Sequence, residues 1–419
     1  MPTDKGANAG LKVTSLVAGM VAGADSIDDM AVLRHGGMGK VFTNAYAPST
    51  LGSFLRAFTF GHVRQLDAVA ARFLTRLAAR TPLMSLPDGS GRVMVDIDDT
   101  IIEVHGYAKQ GSGYGYSGVR GLNALLATVS TKDTAPVVVA QRLRKGSCGS
   151  PRGAKRLVAD ALKTVRTMTD DKPLVRADSA FFGHPTIAAA LKAGADVSVT
   201  VRLDNRIKIA ISSIPEDAWT PIEYTDAVYD EQASRWVSRA EVAEIEFTAF
   251  AAQKKTNHVP GRLIVRRIPD LNPAKTAGQE TLFDTWRFHG FFTTTAHGVA
   301  DTVAADKTPR GHAIIEQVHA DLKHSALAHL PSGKVTANAA WLVLATIAFN
   351  LTRAAATITG PGLAKATTAT IRRKLITVPT RVASSARRVT LHLPAHWPWE
   401  TAWSDLFNRA CGPPPAPTT

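Results

Sequence analysis

The stretch VMVDIDDT, residues 93–100, is the part of the sequence that decides the fold. Apolar and acidic residues alternate at its start, which is the period-two pattern of a β-strand with two different faces. Val95 and Ile97 fall on one face, and Asp96 and Asp98 fall on the other. Two neighbouring carboxylates on one face are unfavourable to bury without a counter-ion, so this pair is a candidate site.

The segments after this strand predict a mixed sheet flanked by helices. Two more apolar segments, 122–130 and 136–143, follow polar turns and complete an antiparallel meander. Beyond them the patterns predict, in order, a helix (about 151–168), a strand (173–178), a helix (184–193) and a strand (196–203). The order strand-strand-strand-helix-strand-helix-strand predicts an α/β fold of the mixed α+β kind.

The rest of the chain changes character several times. Apolar residues at helical spacing, with basic residues between them, predict a helical DNA-binding region before the strands, and Pro, Asp and Lys turns predict a β-rich segment after them. The predicted segments are 1–88 (helical), 89–204 (first part of the core), 205–284 (β-rich insertion), 285–360 (second part of the core), 361–411 (basic region) and 412–419 (disordered tail).

Composition restricts the class of protein. The chain of 419 residues has 49 Lys+Arg against 35 Asp+Glu, a net charge of +14, which favours a polyanionic partner such as nucleic acid. Two cysteines without a Cys-x-x-Cys pair exclude a disulfide framework and a cysteine zinc site. The polar N-terminus predicts a cytoplasmic protein, and the apolar stretch 337–356, which contains Asn and Arg, predicts a buried helix rather than a membrane span.

Further carboxylates stand where a catalytic site is expected. Asp178 ends the fourth predicted strand, and Glu316 lies on a helix whose apolar stripe is Ile315, Val318 and Leu322. Ligands of open sheets bind at the carboxyl ends of the strands. Oxygen ligands alone suit Mg²⁺ or Mn²⁺, and two such ions, about 3.5–4 Å apart, catalyse displacement at phosphorus.

Each of these residues also has an ordinary structural interpretation. The Asp98-Asp99-Thr100 segment is compatible with a turn or a helix cap, and Asp178 is compatible with the N-cap of the helix near His184. Glu316 alone is compatible with a solvated helix carboxylate.

Taken together, the quoted pieces resemble a known family. VDIDDT (95–100) with HGYAKQGSGYGYSG (105–118), VRADSAFFG (175–183) and GHAIIEQVHADLKHSALAHLPS (311–332) are similar to the DDE transposases of bacterial insertion sequences. The match looks close to the branch numbered thirteen-eighty, and the resemblance covers roughly residues 25–408. This resemblance implies a ribonuclease H-like catalytic core.

The resemblance also implies roles for individual residues. Asp98 would be the first metal ligand, with Asp96 as the alternative, followed by Asp178 and Glu316. Lys323 matches the Lys of the family signature Tyr-x2-Arg-x3-Glu-x6-Lys. The signature Tyr falls on Pro309 and its Arg falls on His312, with Arg310 two residues away. These departures concern the contacts to the phosphates at the DNA ends.

Two other features indicate contacts to DNA. The segment 141–156 holds six cations and no acid, which predicts phosphate contacts by Arg142, Arg144, Lys145, Arg152, Lys155 and Arg156. In relatives with hairpin intermediates an aromatic residue stacks on a flipped base, and Trp286 is a candidate for that role. A core aromatic of a strand is the alternative interpretation of Trp286.

Three functions follow from these features. The first is a transposase that cleaves double-stranded DNA at terminal inverted repeats and joins it to target DNA. Its expected cofactor is Mg²⁺ or Mn²⁺, as a pair of ions. The transposase would act as a homodimer on DNA, associated with the nucleoid and without a membrane. The alternatives are a ribonuclease H-fold nuclease without strand transfer and an inactive, transposase-derived DNA-binding protein.

Overall fold

The chain divides into two compact units in a computed structural model. The residues described are 6–84, 92–106, 108–131, 134–230, 235–269 and 286–412, with side chains at all of them except 223–230 and 235–239. The first unit comprises Met1–Gly153, Leu157–Asp171 and Ile314–Thr419, and the second comprises Ala154–Arg156 and Lys172–Ala313. The six predicted segments stay a prediction, and the tail after 412 lies outside the described residues.

The first unit begins with helices. The described residues before the first strand include the helices α1 (Ala9–Ala22), α2 (Met38–Val41), α3 (Pro48–Arg56) and α4 (Phe60–Ala78). Apolar residues recur at helical spacing over residues 49–80. This stretch forms two helices, α3 and α4, because Thr59 caps the start of the second one. The Thr59 hydroxyl accepts a hydrogen bond from the His62 backbone at 3.4 Å, and the His62 ring accepts one from the Thr59 backbone at 3.2 Å. This reciprocal pair is a capping box.

The predicted antiparallel meander is confirmed. It consists of β1 (Met94–Glu103), a short β2 (Gly113–Tyr114), β3 (Arg120–Ser130) and β4 (Val137–Lys145), followed by α5 (Ala154–Val165). The strand β3 pairs antiparallel with both β1 and β4. Pairing continues as far as Glu103 opposite Gly121, so the interpretation of Asp98-Asp99-Thr100 as a turn or cap is wrong. All three residues belong to the strand.

The second unit holds the remaining large strands. Its elements are β5 (Leu174–Ala177), α6 (His184–Lys192), β6 (Asp196–Val201), α7 (Asn205–Ser212), β7 (Thr220–Asp230), β8 (Arg235–Ala249), β9 (Val259–Pro269), β10 (Trp286–Thr293) and α8 (Thr302–Arg310). The pair β5–β6 is parallel, and β10 pairs antiparallel with both β6 and β9. The described residues of the predicted insertion hold the strands β7, β8 and β9, and they open with α7, which is capped by the Asp204 side chain.

The first unit ends in helices and a small hairpin. The elements are α9 (Ile314–Lys323), α10 (Val335–Ile358), α11 (Pro361–Ala364), α12 (Thr368–Ile371), β11 (Arg381–Ser385), β12 (Arg388–His392) and α13 (Glu400–Cys411). By length and composition α10 could span a membrane, yet 78% of its most apolar window is buried inside the fold. The prediction of a buried helix is confirmed.

The prediction for the basic C-terminal segment is confirmed only in part. Apolar and basic residues alternate over 371–394, which predicts a strand pair, but Ile371 ends α12 and residues Arg372–Ile376 form a π-helical turn. Ile371 and Leu375 are both buried and lie four residues apart, which is a helical spacing. The strand pair exists further along, as β11 with β12.

The mixed α/β class is confirmed. The first unit contains the antiparallel strands β1, β3 and β4, and the second contains the parallel pair β5 and β6, which is joined by a helix. A parallel pair requires such a crossover. Three antiparallel strands followed along the chain by a helix-linked parallel pair are the elements of a ribonuclease H-like core.

Candidate active site

Three aspartates of β1 differ in how far they reach solvent. Asp96 is fully buried and Asp99 is 4% exposed, whereas the Asp98 side chain keeps 22% of its surface exposed. The Oδ1 atom of Asp98 accepts a hydrogen bond from the Asp99 backbone at 2.7 Å. Asp98 is therefore the carboxylate of this group that a ligand from solvent can approach.

The carboxylate of Asp99 points to the opposite face of β1, where it joins a buried network across three strands. Arg144 of β4 donates from Nη2 to Asp99 Oδ2 at 2.7 Å and from Nε to Asn123 Oδ1 at 2.9 Å. Asn123 of β3 donates its amide to the same Asp99 carboxylate. Burial lowers the pKa of Arg144, and the negative charge of Asp99 opposes that shift. The network fixes β1 against β3 and β4.

Helix α9 is held on its apolar side by the predicted stripe. Ile315, Val318 and Leu322 are at most 1% exposed, which confirms that part of the sequence analysis. Asp321 adds a polar anchor, because its carboxylate accepts from the Thr368 backbone at 2.8 Å and from Arg353 Nη2 at 3.3 Å. Buried charges are stable when they are paired and hydrogen-bonded in this way. The helix cannot rotate without breaking these contacts.

The other side of α9 faces Asp98. The Nδ1 atom of His319 lies 3.7 Å from Asp98 Oδ2. Burial lowers the pKa of Lys323, and the nearby Asp98 charge opposes that shift. Glu316 is exposed and stands three residues before His319 and seven before Lys323, so the three residues share one face of the helix.

His319 was missed by the sequence analysis. Its signal was the spacing of three and four residues between Glu316, His319 and Lys323. Residues three and four apart lie on one face of a helix, so a histidine between two predicted site residues is positioned with them.

Asp178 follows β5 in the second unit. Its side chain is exposed, and Oδ1 accepts a hydrogen bond from the Ala180 backbone at 3.0 Å. It therefore caps the short 3₁₀ turn Ser179–Phe181 and not α6, whose N-cap is Gly183. The interpretation of Asp178 as the N-cap of the helix near His184 is therefore wrong, although Asp178 does cap the turn before that helix. The second carboxylate oxygen is left for another ligand.

No group of three or more His, Cys, Asp or Glu side chains suited to a metal ion occurs among the described residues. Asp98 and Glu316 belong to the first unit and Asp178 to the second. The convergence of the three carboxylates therefore stays a prediction.

The basic segment 141–156 divides into an inner and an outer part. Arg142 pairs with Asp67 at 3.1 Å and also with Asp160, and Arg144 belongs to the buried network of Asp99. Lys145, Arg152, Lys155 and Arg156 are exposed. The segment contains no acid, yet acids from β1, α4 and α5 reach its inner arginines. Contacts of Arg142 and Arg144 with phosphate would require these ion pairs to break.

We expect the burial of Asp67 to make the stability of the fold depend on pH. Burial raises the pKa of its carboxyl above the ordinary value of 3.8, against the opposing effects of Arg142 and Gln141. The folded state then binds a proton that the unfolded state has lost, so the free energy of unfolding falls as pH rises from 3.8 through the raised pKa. Asp67→Asn should remove this fall, as measured by urea denaturation at a series of pH values.

A matched variant gives the opposite result. Arg142→Gln removes a charge that lowers the pKa of Asp67, so it should extend the same fall in stability to higher pH. Equal pH profiles for Asp67→Asn and the wild type would contradict the assignment.

Three other predicted DNA contacts lie in the second unit. Arg310 pairs with the buried Asp306 four residues earlier, and His312 is half-buried in the 3₁₀ turn that follows α8. Trp286 stacks on the Arg267 guanidinium, 4.4 Å from its ring centroid, and Trp219 covers the same group at 4.3 Å. This arrangement is a cation–π sandwich within the insertion, so the aromatic face of Trp286 toward Arg267 is occupied.

A mixed sheet with this order of elements is typical of the ribonuclease H-like proteins, a class that includes nucleases and transferases that act on nucleic acids. Within that class, this chain belongs to the family described as "Transposase DDE domain group 1", whose sequence profile matches residues 12–411. The family-level resemblance is thereby confirmed, with the activity class of a transposase and a role in DNA recombination.

Curated protein sequences and solved structures were compared with the chain as well. No curated protein sequence matches the chain. A solved structure of the piggyBac transposase in a synaptic complex with hairpin DNA is similar, with a TM-score of 0.40 and 10% sequence identity, over 86% of this chain and 69% of that one.

Proposed function

We propose that this transposase cleaves DNA at the ends of its transposon and joins the freed 3′ end to target DNA. The observation that carries the proposal is the placement of Asp98, the partly exposed aspartate of β1, against the face of α9 that bears Glu316 and Lys323. Membership of a DDE transposase family supports it. The finer assignment to the branch numbered thirteen-eighty is part of the same proposal.

Asp98, Asp178 and Glu316 are the residues that would hold Mg²⁺ or Mn²⁺. The donor set consists of carboxylate oxygens, the ligands that these hard cations prefer, and each side chain is at least partly exposed. When bound, the metal would activate the attacking oxygen and stabilise the leaving oxygen at phosphorus. Asp96 is fully buried, so we assign the first ligand position to Asp98.

Neighbouring side chains position the acidic site and the DNA. His319, 3.7 Å from Asp98, orients that carboxylate toward α9. Lys323 on the same helix face places a positive charge beside it, where a DNA phosphate would approach. Exposed cations of the basic segment (Lys145, Arg152, Lys155 and Arg156) would extend the phosphate contacts. We propose that two copies of the chain act together on two transposon ends, in the cytoplasm with the nucleoid.

Metal removal tests the proposal. A duplex carrying the inverted repeats that flank the coding region should be nicked in Mg²⁺ or Mn²⁺, and a chelator should reduce cleavage to background. Products joined to a second duplex should appear with a 3′-hydroxyl end and disappear with a 3′-dideoxy end. Cleavage without joined products would favour a nuclease without strand transfer. Specific binding without cleavage would favour an inactive transposase derivative.

A further inference from the structure

The hairpin of β11 and β12 is a projecting two-stranded ribbon. Arg381 pairs with His392 and Ser385 with Arg388, which leaves a two-residue turn in which Ala386 has a left-handed φ of 49°. Tight hairpin turns require such a backbone. Every residue from 384 to 390 is exposed. Successive strand residues point to opposite faces, so both faces of the tip are uncovered. We call residues 381–392 the basic ribbon.

The basic ribbon lies in a part of the sequence without acids. Residues 322–399 contain ten Lys or Arg and no Asp or Glu. Arg381, Arg387 and Arg388 are exposed, and no carboxylate of the described residues forms an ion pair with them. This distinguishes them from Arg142 and Arg144, whose charges are neutralised within the fold. The three guanidinium groups are available to an external anion.

The foot of the ribbon rests on the N-terminal helices. A Cβ atom at Gly37 would lie 2.9 Å from Val382 Cγ2, so the absence of a side chain there lets the ribbon approach closely. Lys40 Nζ lies 3.5 Å from the Val382 carbonyl oxygen and adds a fourth exposed cation at the foot. The ribbon is therefore anchored at its base while its tip extends into solvent.

We propose that the basic ribbon enters the major groove of duplex DNA and holds the duplex through phosphate contacts. The major groove, about 12 Å wide, admits a two-stranded β-ribbon. Guanidinium groups bind phosphate oxygens through paired N–H donors. The inference deepens the proposed function and rests on it for the choice of DNA as the polyanion. The ribbon supplies duplex binding that is independent of sequence, apart from the acidic site.

Salt-dependent binding tests the ribbon. The variant Arg381→Gln/Arg387→Gln/Arg388→Gln should lower the slope of log affinity against log salt by about 2.7 on a duplex of arbitrary sequence, because each lost phosphate contact removes about 0.9. The slope on single-stranded DNA should not change. Fluorescence anisotropy of labelled 30-mers, single-stranded and duplex, measures both. The triple Arg→Lys variant should keep the wild-type slope because it keeps the charges.

A matched variant controls for net charge. Lys192, Arg202 and Lys208 are exposed cations of the second unit, and their triple change to Gln removes the same charge. It should leave the duplex slope as in the wild type. Equal losses in both variants, an unchanged slope in the ribbon variant, or an equal loss on single strands would overturn the inference.

End cleavage by the wild type, assayed in parallel in Mg²⁺, separates the two proposals. If the ribbon variant lowers the salt slope but the wild type does not cleave, the inference about the ribbon holds and the proposed function is refuted. If the wild type cleaves but the ribbon variant keeps the wild-type slope, the proposed function holds and the inference about the ribbon is refuted.

Discussion

Asp178→Asn is expected to abolish cleavage of transposon ends, with a loss of at least about a thousand-fold in rate, while specific end binding stays within about two-fold. The magnitude follows because metal ligation contributes several kcal/mol of transition-state stabilisation, and each 1.4 kcal/mol, roughly, is a factor of ten. Binding should survive because the role proposed for this carboxylate is to hold metal, and phosphate contacts are made by other residues. Single-turnover cleavage and a binding titration of the same end fragment measure the two effects.

The fold should tolerate this substitution. The Oδ1 atom of Asp178 caps the turn Ser179–Phe181 by accepting from the Ala180 backbone, and Asn caps about as well as Asp. Asp204→Asn is a matched control, because Asp204 also caps a helix of the second unit, accepting from the Arg206 and Ile207 backbones at 3.0 Å. It should cleave normally. Nicking by Asp178→Asn at the wild-type rate would assign the metal to other residues.

The same assay separates the two carboxylates on one face of β1. Asp98→Asn should remove cleavage as completely as Asp178→Asn, since Asp98 is the carboxylate that reaches solvent beside α9. Asp96→Asn should retain cleavage, because Asp96 is fully buried. Loss of cleavage in Asp96→Asn with a stable fold would reverse the assignment of the first ligand.

Patterns within one element predicted much of the fold and part of the site. The alternation in residues 93–98 places Asp96 and Asp98 together, and the stripe of Ile315, Val318 and Leu322 orients α9 with Glu316 outward. These predictions hold because a period of two or 3.6 residues is a property of a single strand or helix. The alternation over 371–394 predicts strands throughout, but residues 371–376 are helical, because a six-residue run satisfies either period.

Pairings between distant residues could not be predicted. Arg142 and Arg144 stand in an acid-free segment, yet Asp67, Asp160 and Asp99 neutralise them from other elements. Which acid meets which arginine depends on the register of β3 with β4 and on the packing of α4 and α5. A run of basic residues in the sequence therefore predicts unpaired cations only where the fold places no acidic residue of another element beside them. Among the described residues, the basic ribbon is such a case.

Arg144→Met is expected to lower the free energy of unfolding by about 3–5 kcal/mol, because it leaves the buried carboxylate of Asp99 without its counter-ion. The side chains of the pair are 9% and 3% exposed. The double variant Asp99→Leu/Arg144→Met should recover most of that loss, since replacing a buried ion pair by apolar residues is often close to neutral. Urea denaturation measures both free energies of unfolding. Arg152→Met is the control, because Arg152 is exposed, and its free energy of unfolding should stay within about 0.5 kcal/mol of the wild-type value.

The stable double variant also decides whether Arg144 contacts DNA. If its guanidinium serves only the network of Asp99 and Asn123, the salt dependence of duplex binding should equal that of the wild type. A contact with phosphate would instead lower the slope by about 0.9. If Arg144→Met alone lowers the free energy of unfolding by less than about 1 kcal/mol, the buried network is contradicted, because a buried carboxylate without a counter-ion should destabilise the fold by more than that. We expect a large loss of stability in Arg144→Met and an unchanged salt slope in the double variant. The guanidinium of Arg144, which links β4 to β1 and β3, cannot also reach a phosphate.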